Sequence, residues 1–243
     1  MYHEGELEVQ RQAGVAEEAT RVGRIIGGTI PPAAARFIEA RKLLIASTVD
    51  ADGRVWASPL FGSIHVDDER TLRIACSTDT PVCGHIGLLA IDLTTRRRMR
   101  VNGIAKRDGN DLVVTTEEVY SNCPQYIHPR PARPDTSSPE AWVRTSDTFF
   151  LATAHPQRGA DASHRGGDPG FVTFDGTRVV FPDYSGNNMF NSLGNLAVNP
   201  NCGLLFIDFE SGATLQMSGR GRVEWEPERR VVIEVSELRS GIP

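Results

Sequence analysis

The sequence predicts a mainly β protein made of two copies of one unit, with short flanking helices. Three observations carry this. Short runs rich in Val, Ile, Leu and Thr are separated by Gly, Asp, Asn and Pro turns. Ala57-Ser58 recurs as Ala162-Ser163, 105 residues on, and Gly87-Leu88-Leu89-Ala90-Ile91-Asp92 recurs as Gly203-Leu204-Leu205-Phe206-Ile207-Asp208, 116 residues on. Asn102-Gly103 and Ser218-Gly219 then fall at the same place behind those runs. So long a period exceeds the roughly 20–50 residues of a solenoid repeat, so each copy is a domain-sized unit.

The elements follow in order. Residues 1–29 form a charged, weakly periodic arm, loose or helical. Pro31-Pro32 opens an alanine-rich helix through Ala40, since proline suits a first helical turn. Leu43–Val49 and Val55–Phe61 read as strands of a hairpin around the turn residues Asp50–Gly53. Leu44–Thr48 is echoed by Phe150–Ala154. A helix over Thr116–Ile127 closes the first unit, which spans 30–128. The segment 129–147 is a proline-rich connector plus a helix, with Ser138 as cap and Pro139 as first residue. The second unit spans 148–243.

Composition excludes several classes. Lys plus Arg total 26 and Asp plus Glu total 31, for a net charge of −5 over 243 residues. No global basic field draws the chain to nucleic acid or an anionic membrane. No apolar run approaches the roughly 20 residues of a membrane helix. The stretch with Glu4, Glu6, Glu8, Glu17 and Glu18 does not read as a secretory signal, so the expectation is a soluble, cytoplasmic protein. Cys76, Cys83, Cys123 and Cys202 form no C-x-x-C pair, and His65, His85, His128 and His155 are isolated, so no metal is expected. No Ser-His-Asp assembly or strand-borne G-x-G-x-x-G can be argued.

Three places offer chemistry. The second copy gains 11 residues over the first, in or near Asp183–Leu196. There a strand, Arg178–Phe181, leads through Ser185-Gly186-Asn187 into Phe190, Leu193 and Leu196-Ala197 at helical spacing. A strand, a tight turn and a helix start present N–H groups to an anion, with Ser185, Asn187, Asn188, Asn191 and Ser192 as further donors. The plain alternative is an ordinary Asn/Ser cap. Second, Ser163-His164-Arg165 stands where the first copy has Ser58-Pro59-Leu60, and arginine's fork suits phosphate or a carbonyl edge. Its alternative is a solvated strand end. Third, Arg96, Arg98 and Arg100 share one face of a strand, which reads as a solvated, aggregation-blocking edge, with an anion-binding edge as the alternative.

The runs Ser163-His164-Arg165-Gly166-Gly167-Asp168-Pro169-Gly170-Phe171 and Asn188-Met189-Phe190-Asn191-Ser192-Leu193-Gly194-Asn195-Leu196 resemble the pyridoxamine 5′-phosphate oxidase-like flavin-binding proteins in their tandem form. Tyr120–Ile127 resembles a helix common in that group, and the likeness runs from about Ile30 to about Glu226. The resemblance implies two tandem split β-barrels, FMN as cofactor, a small-molecule electron donor or acceptor, and a homodimer. The phosphate would meet Ser185–Ser192, the ring's carbonyl edge Ser163, His164 and Arg165, and an apolar wall Tyr184 or Met189. One site per chain is expected, dominated by the second copy, with a wall from the Tyr120–Ile127 helix. The Arg-x-x-x-x-Lys phosphate strand and the C-terminal Trp-and-Arg segment of the oxidase proper have no counterpart, which speaks against pyridoxamine phosphate as substrate. The hydride chemistry would belong to the cofactor, so no catalytic side chain is named. The alternatives are a non-catalytic flavin-binding or sensor module and a deazaflavin-dependent reductase.

Overall fold

The computed structural model describes residues 2–75 and 83–241. The arm is helical: α1 (Glu4–Gln12), α2 (Ala16–Val22) and a 3-10 turn (Gly23–Ile25). A reciprocal cap starts α1, in which His3 Nδ1 accepts from the Gly5 N–H at 3.1 Å and the Glu6 carboxylate accepts from the His3 N–H at 2.8 Å. α3 (Pro32–Glu39) follows, proline first.

The first barrel holds β1 (Leu43–Val49), β2 (Val55–Phe61), β3 (Ser63–Asp68), β4 (Thr71–Ala75), β5 (Gly84–Asp92), β6 (Arg97–Asp108) and β7 (Asp111–Ser121). After the proline-rich link, Ser138 Oγ accepts from the Ala141 N–H at 3.1 Å and starts α4 (Pro139–Thr145). The second barrel holds β8 (Thr148–His155), β9 (Gly159–Gly166), β10 (Thr173–Phe174), β11 (Arg178–Pro182), α5 (Asn191–Val198), β12 (Asn201–Ile207), β13 (Thr214–Glu224) and β14 (Arg230–Gly241).

Two seven-stranded antiparallel sheets result, ordered β2-β1-β5-β6-β7-β4-β3 and β9-β8-β12-β13-β14-β11-β10. The two orders are the same path, strand for strand. Even the β-bulges coincide, at Asn102/Gly103 and at Ser218/Gly219. No described helix is long and apolar enough to cross a membrane.

Register corrects one echo. Ala46 pairs with Leu88 and Leu151 with Leu204, so Leu44 corresponds to Phe149, not to Phe150. A one-residue slip matters because side chains alternate across a strand. Leu44, Leu88 and Ala90 fill the first barrel's core, while Phe149, Leu151 and Leu204 fill the second's. The residues between them, Ile45, Leu89, Phe150 and Leu205, form a third cluster, the seam where the barrels meet. Both faces of β1, β5, β8 and β12 are therefore apolar.

The helix expected over Thr116–Ile127 is not there. Strand β7 runs to Ser121, and 122–127 is irregular. Val113, Val114, Thr115 and Thr116 are β-branched and favour a strand. The tight turn at Gly109, with φ of 60°, also sends the chain straight back along β6.

Candidate functional site

On one side the seam opens into a cleft with about 870 Å³ of empty space, part of it at the open mouth. Ser163, His164, Arg165, Tyr184, Ser185, Asn187, Asn188, Asn191 and Ser192 all line it. Met189 does not. It is fully buried beneath the loop, and its carbonyl accepts from Gln10 Nε2 at 2.9 Å, because α1 fills the space behind.

The first barrel gives more than a wall. Arg98 and Arg100 lie on β6, in the interior of their sheet, so the reading of a solvated edge strand is wrong. Arg96 sits in the preceding turn with φ of 53°, off the strand face. Met99 and Val101 point to the barrel core, and the alternate Arg98 and Arg100 face the second barrel. Alternation of charge with apolar residues looks the same whether the polar face meets water or a neighbouring barrel. Asn122, Gln125 and Tyr126 add to the lining from the stretch expected to be helical.

Each arginine has a different partner. Arg100 donates from Nη1 to Asp161 Oδ1 at 2.7 Å and from Nη2 to Ser163 Oγ. Burial pulls its pKa down, but Tyr120 and Asp161 hold it above the ordinary value. Arg165 Nη1 meets Asp183 Oδ1 at 2.6 Å, and Arg229 Nε meets Asp183 Oδ2 at 2.8 Å. Arg98 has no carboxylate partner among the described residues. Its Nη1 donates to His164 Nδ1 at 3.1 Å, and its buried Nε has no partner. Burial, with Arg100 and Arg165 nearby, lowers its pKa to about 10.

His164 is set by this contact. Burial, then Arg98, Arg165 and His128, holds its pKa well below the ordinary histidine value, so the ring is neutral near pH 7. Arginine can only donate, so Nδ1 accepts and the proton sits on Nε2. That Nε2 also has no partner. Arg165 Nε is unmet as well. A buried orphan donor is costly, and several beside one cleft mark where a ligand's acceptors would fit.

The first turn of α5 is already engaged. Asn191 Nδ2 donates to Glu6 Oε1 at 2.6 Å, and Ser192 Oγ lies 2.5 Å from Ser163 Oγ. At the mouth the two barrels touch again. Asn187 Nδ2 donates to Asn122 Oδ1 at 2.7 Å, and the Tyr126 and Tyr184 rings stack at 5.1 Å. Tyr126, Asn188 and Phe190 take φ of 61°, 62° and 59°, backbone strain of the kind that gathers at functional sites.

A second cluster lies apart from the cleft: ligand atoms of His3, Glu4 and His155 fall within 4.8 Å of one another. Its hydrogen bonds argue against a metal. Both Nδ1 atoms accept from backbone N–H groups, of Gly5 and Gln157, which leaves the protons on Nε2. A metal-bound histidine keeps one ring nitrogen free for the ion while the other donates, whereas here both nitrogens of His3 and of His155 are already hydrogen-bonded.

Residues 139–240 match the family model for pyridoxamine 5′-phosphate oxidase. The second barrel is a pyridoxamine 5′-phosphate oxidase-like barrel. The match covers α4, α5 and nearly all of the second sheet, and with it Ser163, His164 and Arg165. Among solved structures, a HupZ variant from Group A Streptococcus is 12% identical over 41% of this chain and 93% of its own, with a TM-score of 0.34. An F420 reductase is 18% identical over 41% and 94%, with a TM-score of 0.30. The K. pneumonia MrkH–c-di-GMP complex is 12% identical over 84% of each chain, with a TM-score of 0.29. No curated protein matches the chain.

Proposed function

We propose that the cleft binds FMN and that the protein is a flavin-dependent oxidoreductase of the pyridoxamine 5′-phosphate oxidase-like type, distinct from the pyridoxamine phosphate oxidase itself. The observation that carries this is Arg98, a mostly buried guanidinium with no carboxylate partner, in a cleft where Arg98 Nε, Arg165 Nε and His164 Nε2 lack acceptors. That donor set suits the phosphate and carbonyl oxygens of a flavin mononucleotide. Tyr126, Tyr184 and Phe171 supply flat apolar surface for its ring, and Ser163 and Asn187 supply further polar contacts. Bound flavin supplies hydride-transfer chemistry with a small-molecule donor or acceptor. The protein's part is to hold the ring between two barrels, neutralise the phosphate through Arg98, and keep His164 neutral as a donor at Nε2. The same reading makes the protein a homodimer. Light scattering at micromolar protein tests it, and a monomer mass overturns it.

The absorbance spectrum of the purified protein and an FMN titration read by fluorescence quenching test the reading. A yellow protein, or micromolar uptake of FMN that fails for Arg98→Ala, supports it. No uptake of FMN overturns it. Uptake of deazaflavin alone replaces FMN with that cofactor, and bound flavin that no donor turns over assigns the protein to the non-catalytic binding modules.

A further inference from the structure

A strip of cations borders the cleft mouth. Asn122, at the mouth, donates its backbone N–H to the Arg98 carbonyl at 3.2 Å, so the mouth lies at the start of β6. Just before Arg98 stand Arg96 and Arg97, both exposed. Asp92 is paired with Arg97 across β5 and β6, yet its carboxylate is taken by Arg41 at 2.6 Å. The Arg41 and Arg97 guanidinium groups each lie 5.0 Å from the centre of the Phe37 ring on α3. Arg36, the residue before that ring, is exposed. So is Lys42, which the Leu44–Ala90 register sets beside Asp92. Among the described residues, no Asp or Glu pairs with Arg36, Lys42, Arg96 or Arg97. These cations share one end of the first sheet in a chain whose net charge is −5.

Packing explains little of this. Arg97 gains a cation–π contact from Phe37, and the dipole of α3 favours a cation past its end, where Arg41 stands. Arg96 has neither tie. It sits in the turn between β5 and β6 with φ of 53°, a conformation that glycine or asparagine adopts at less cost. Like charges gathered this closely repel until an anion joins them. Across the mouth, Arg165 and Arg229 share the single carboxylate of Asp183, so the opposite rim is cationic as well. Such a rim draws anions towards the cleft.

We propose that this strip seats the phosphates of a nicotinamide dinucleotide that reduces the flavin, with Arg96 and Arg97 on its pyrophosphate and Arg36 and Lys42 on a 2′-phosphate. The donor role rests on the flavin reading. Flavin mononucleotide and a nicotinamide dinucleotide share one build, a flat ring joined through a sugar chain to phosphate. Stacked in the same sense, their phosphates fall at one end. With Arg98 on the flavin's phosphate, the donor's phosphates need cations beside Arg98, and Arg96 and Arg97 precede it in the chain. The guanidinium fork suits phosphate oxygens. A 2′-phosphate brings about 1.5–2 further negative charges, which Arg36 and Lys42 meet, so NADPH fits better than NADH. In the step itself the donor's C–H bond breaks and its hydride passes to the flavin. A solvent proton completes the reduced flavin, and the nicotinamide leaves oxidised.

Calorimetric titration of NADP+ and NAD+ into the full chain tests the strip without turnover. The parent should bind NADP+ more tightly than NAD+, and both should weaken between low salt and about 0.15 M, where exposed charges are screened. The double variant Arg96→Ala, Arg97→Ala should weaken both about tenfold. The double variant Arg36→Ala, Lys42→Ala should weaken NADP+ about tenfold and leave NAD+ near the parent. NADPH at limiting concentration should reduce bound FMN more slowly in the first variant. NADP+ that does not bind, or that binds the first variant like the parent, overturns the proposal. Binding of polyglutamate without NADP+ also overturns it and makes the strip a seat for an acidic polypeptide. Bound NADP+ with no reduction of bound FMN by NADPH overturns the donor role. Failure of FMN to bind overturns the flavin reading instead, and the NADP+ titrations then decide the strip alone.

Discussion

Arg100 and Gln216 occupy the same register position in the two barrels, opposite Leu89 and Leu205, and each crosses the seam to a serine. Arg100 reaches Ser163, and Gln216 Nε2 reaches Ser58 Oγ at 3.0 Å. The same pseudo-symmetry sets Thr214 where Arg98 stands, and Pro59 and Leu60 where His164 and Arg165 stand. The Arg98, Arg100, His164 and Arg165 set has no counterpart at the pseudo-symmetric positions, which hold Thr214, Gln216, Pro59 and Leu60. A flavin titration should therefore saturate at one equivalent per chain. Two equal sites by calorimetry would contradict the asymmetry.

Arg98→Ala should weaken FMN binding more than Arg165→Ala. A charge-assisted hydrogen bond contributes about 1.5–3 kcal/mol, so the Arg98 variant should lose about tenfold to a hundredfold. Arg165 already shares Asp183 with Arg229, so its removal frees a carboxylate that Arg229 still holds. Fluorescence titration of the two variants ranks them.

Gly87→Ala should destabilise the fold. The added Cβ would lie 2.2 Å from the Ala160 carbonyl oxygen across the seam, and that neighbour is backbone. Overpacking of this kind costs about 1–3 kcal/mol, and the upper end is expected here. Gly203→Ala should behave alike, since its Cβ would meet the Ala57 nitrogen and the Val55 carbonyl oxygen at 2.7 Å. The urea midpoint reads both.

Asp161→Ala should cost about 3–5 kcal/mol, the range for breaking a buried ion pair from one side. Asp161 accepts from Arg100, Asn102 and Asn195, so its loss strands a guanidinium and two amides at once. Asp161→Asn should cost less. Chemical denaturation at neutral pH separates them.

Cys202 should resist alkylation in the native protein near pH 8 while Cys83 reacts. Burial pushes the Cys202 thiol up to about 12, so its thiolate is scarce, whereas Cys83 is exposed. Labelling followed by peptide mass mapping reads this. Modification of Cys202 without unfolding would count against the packed core.

Much of the fold was legible because the repeat lies in the seam strands, where both faces must be apolar. Gly87–Asp92 and Gly203–Asp208 look alike because each must fill a barrel with one face and meet its neighbour with the other. The SHR run and the inserted turn-helix also marked the cleft, since polar residues replaced the apolar Pro59 and Leu60. Arg98 and Arg100 were misread because the sequence carries no sign of which strand faces a second barrel. Met189 was misplaced because nothing local told that α1 would return to cover it. The strand at Thr116 was overlooked through likeness to a helix, although its run of β-branched residues argued otherwise.

The seam has a consequence for the chain itself. Ile45, Leu89, Phe150 and Leu205 are all sealed between the halves, and α1 clasps the second half from before the first. The link at 129–138 is mostly exposed and lies outside that packing. Cutting it in the folded protein should yield two fragments that travel as one particle. What the peptide link provides is delivery: each synthesis yields both partners in equal number, at the high effective concentration of a tether, so that neither apolar face waits for its mate.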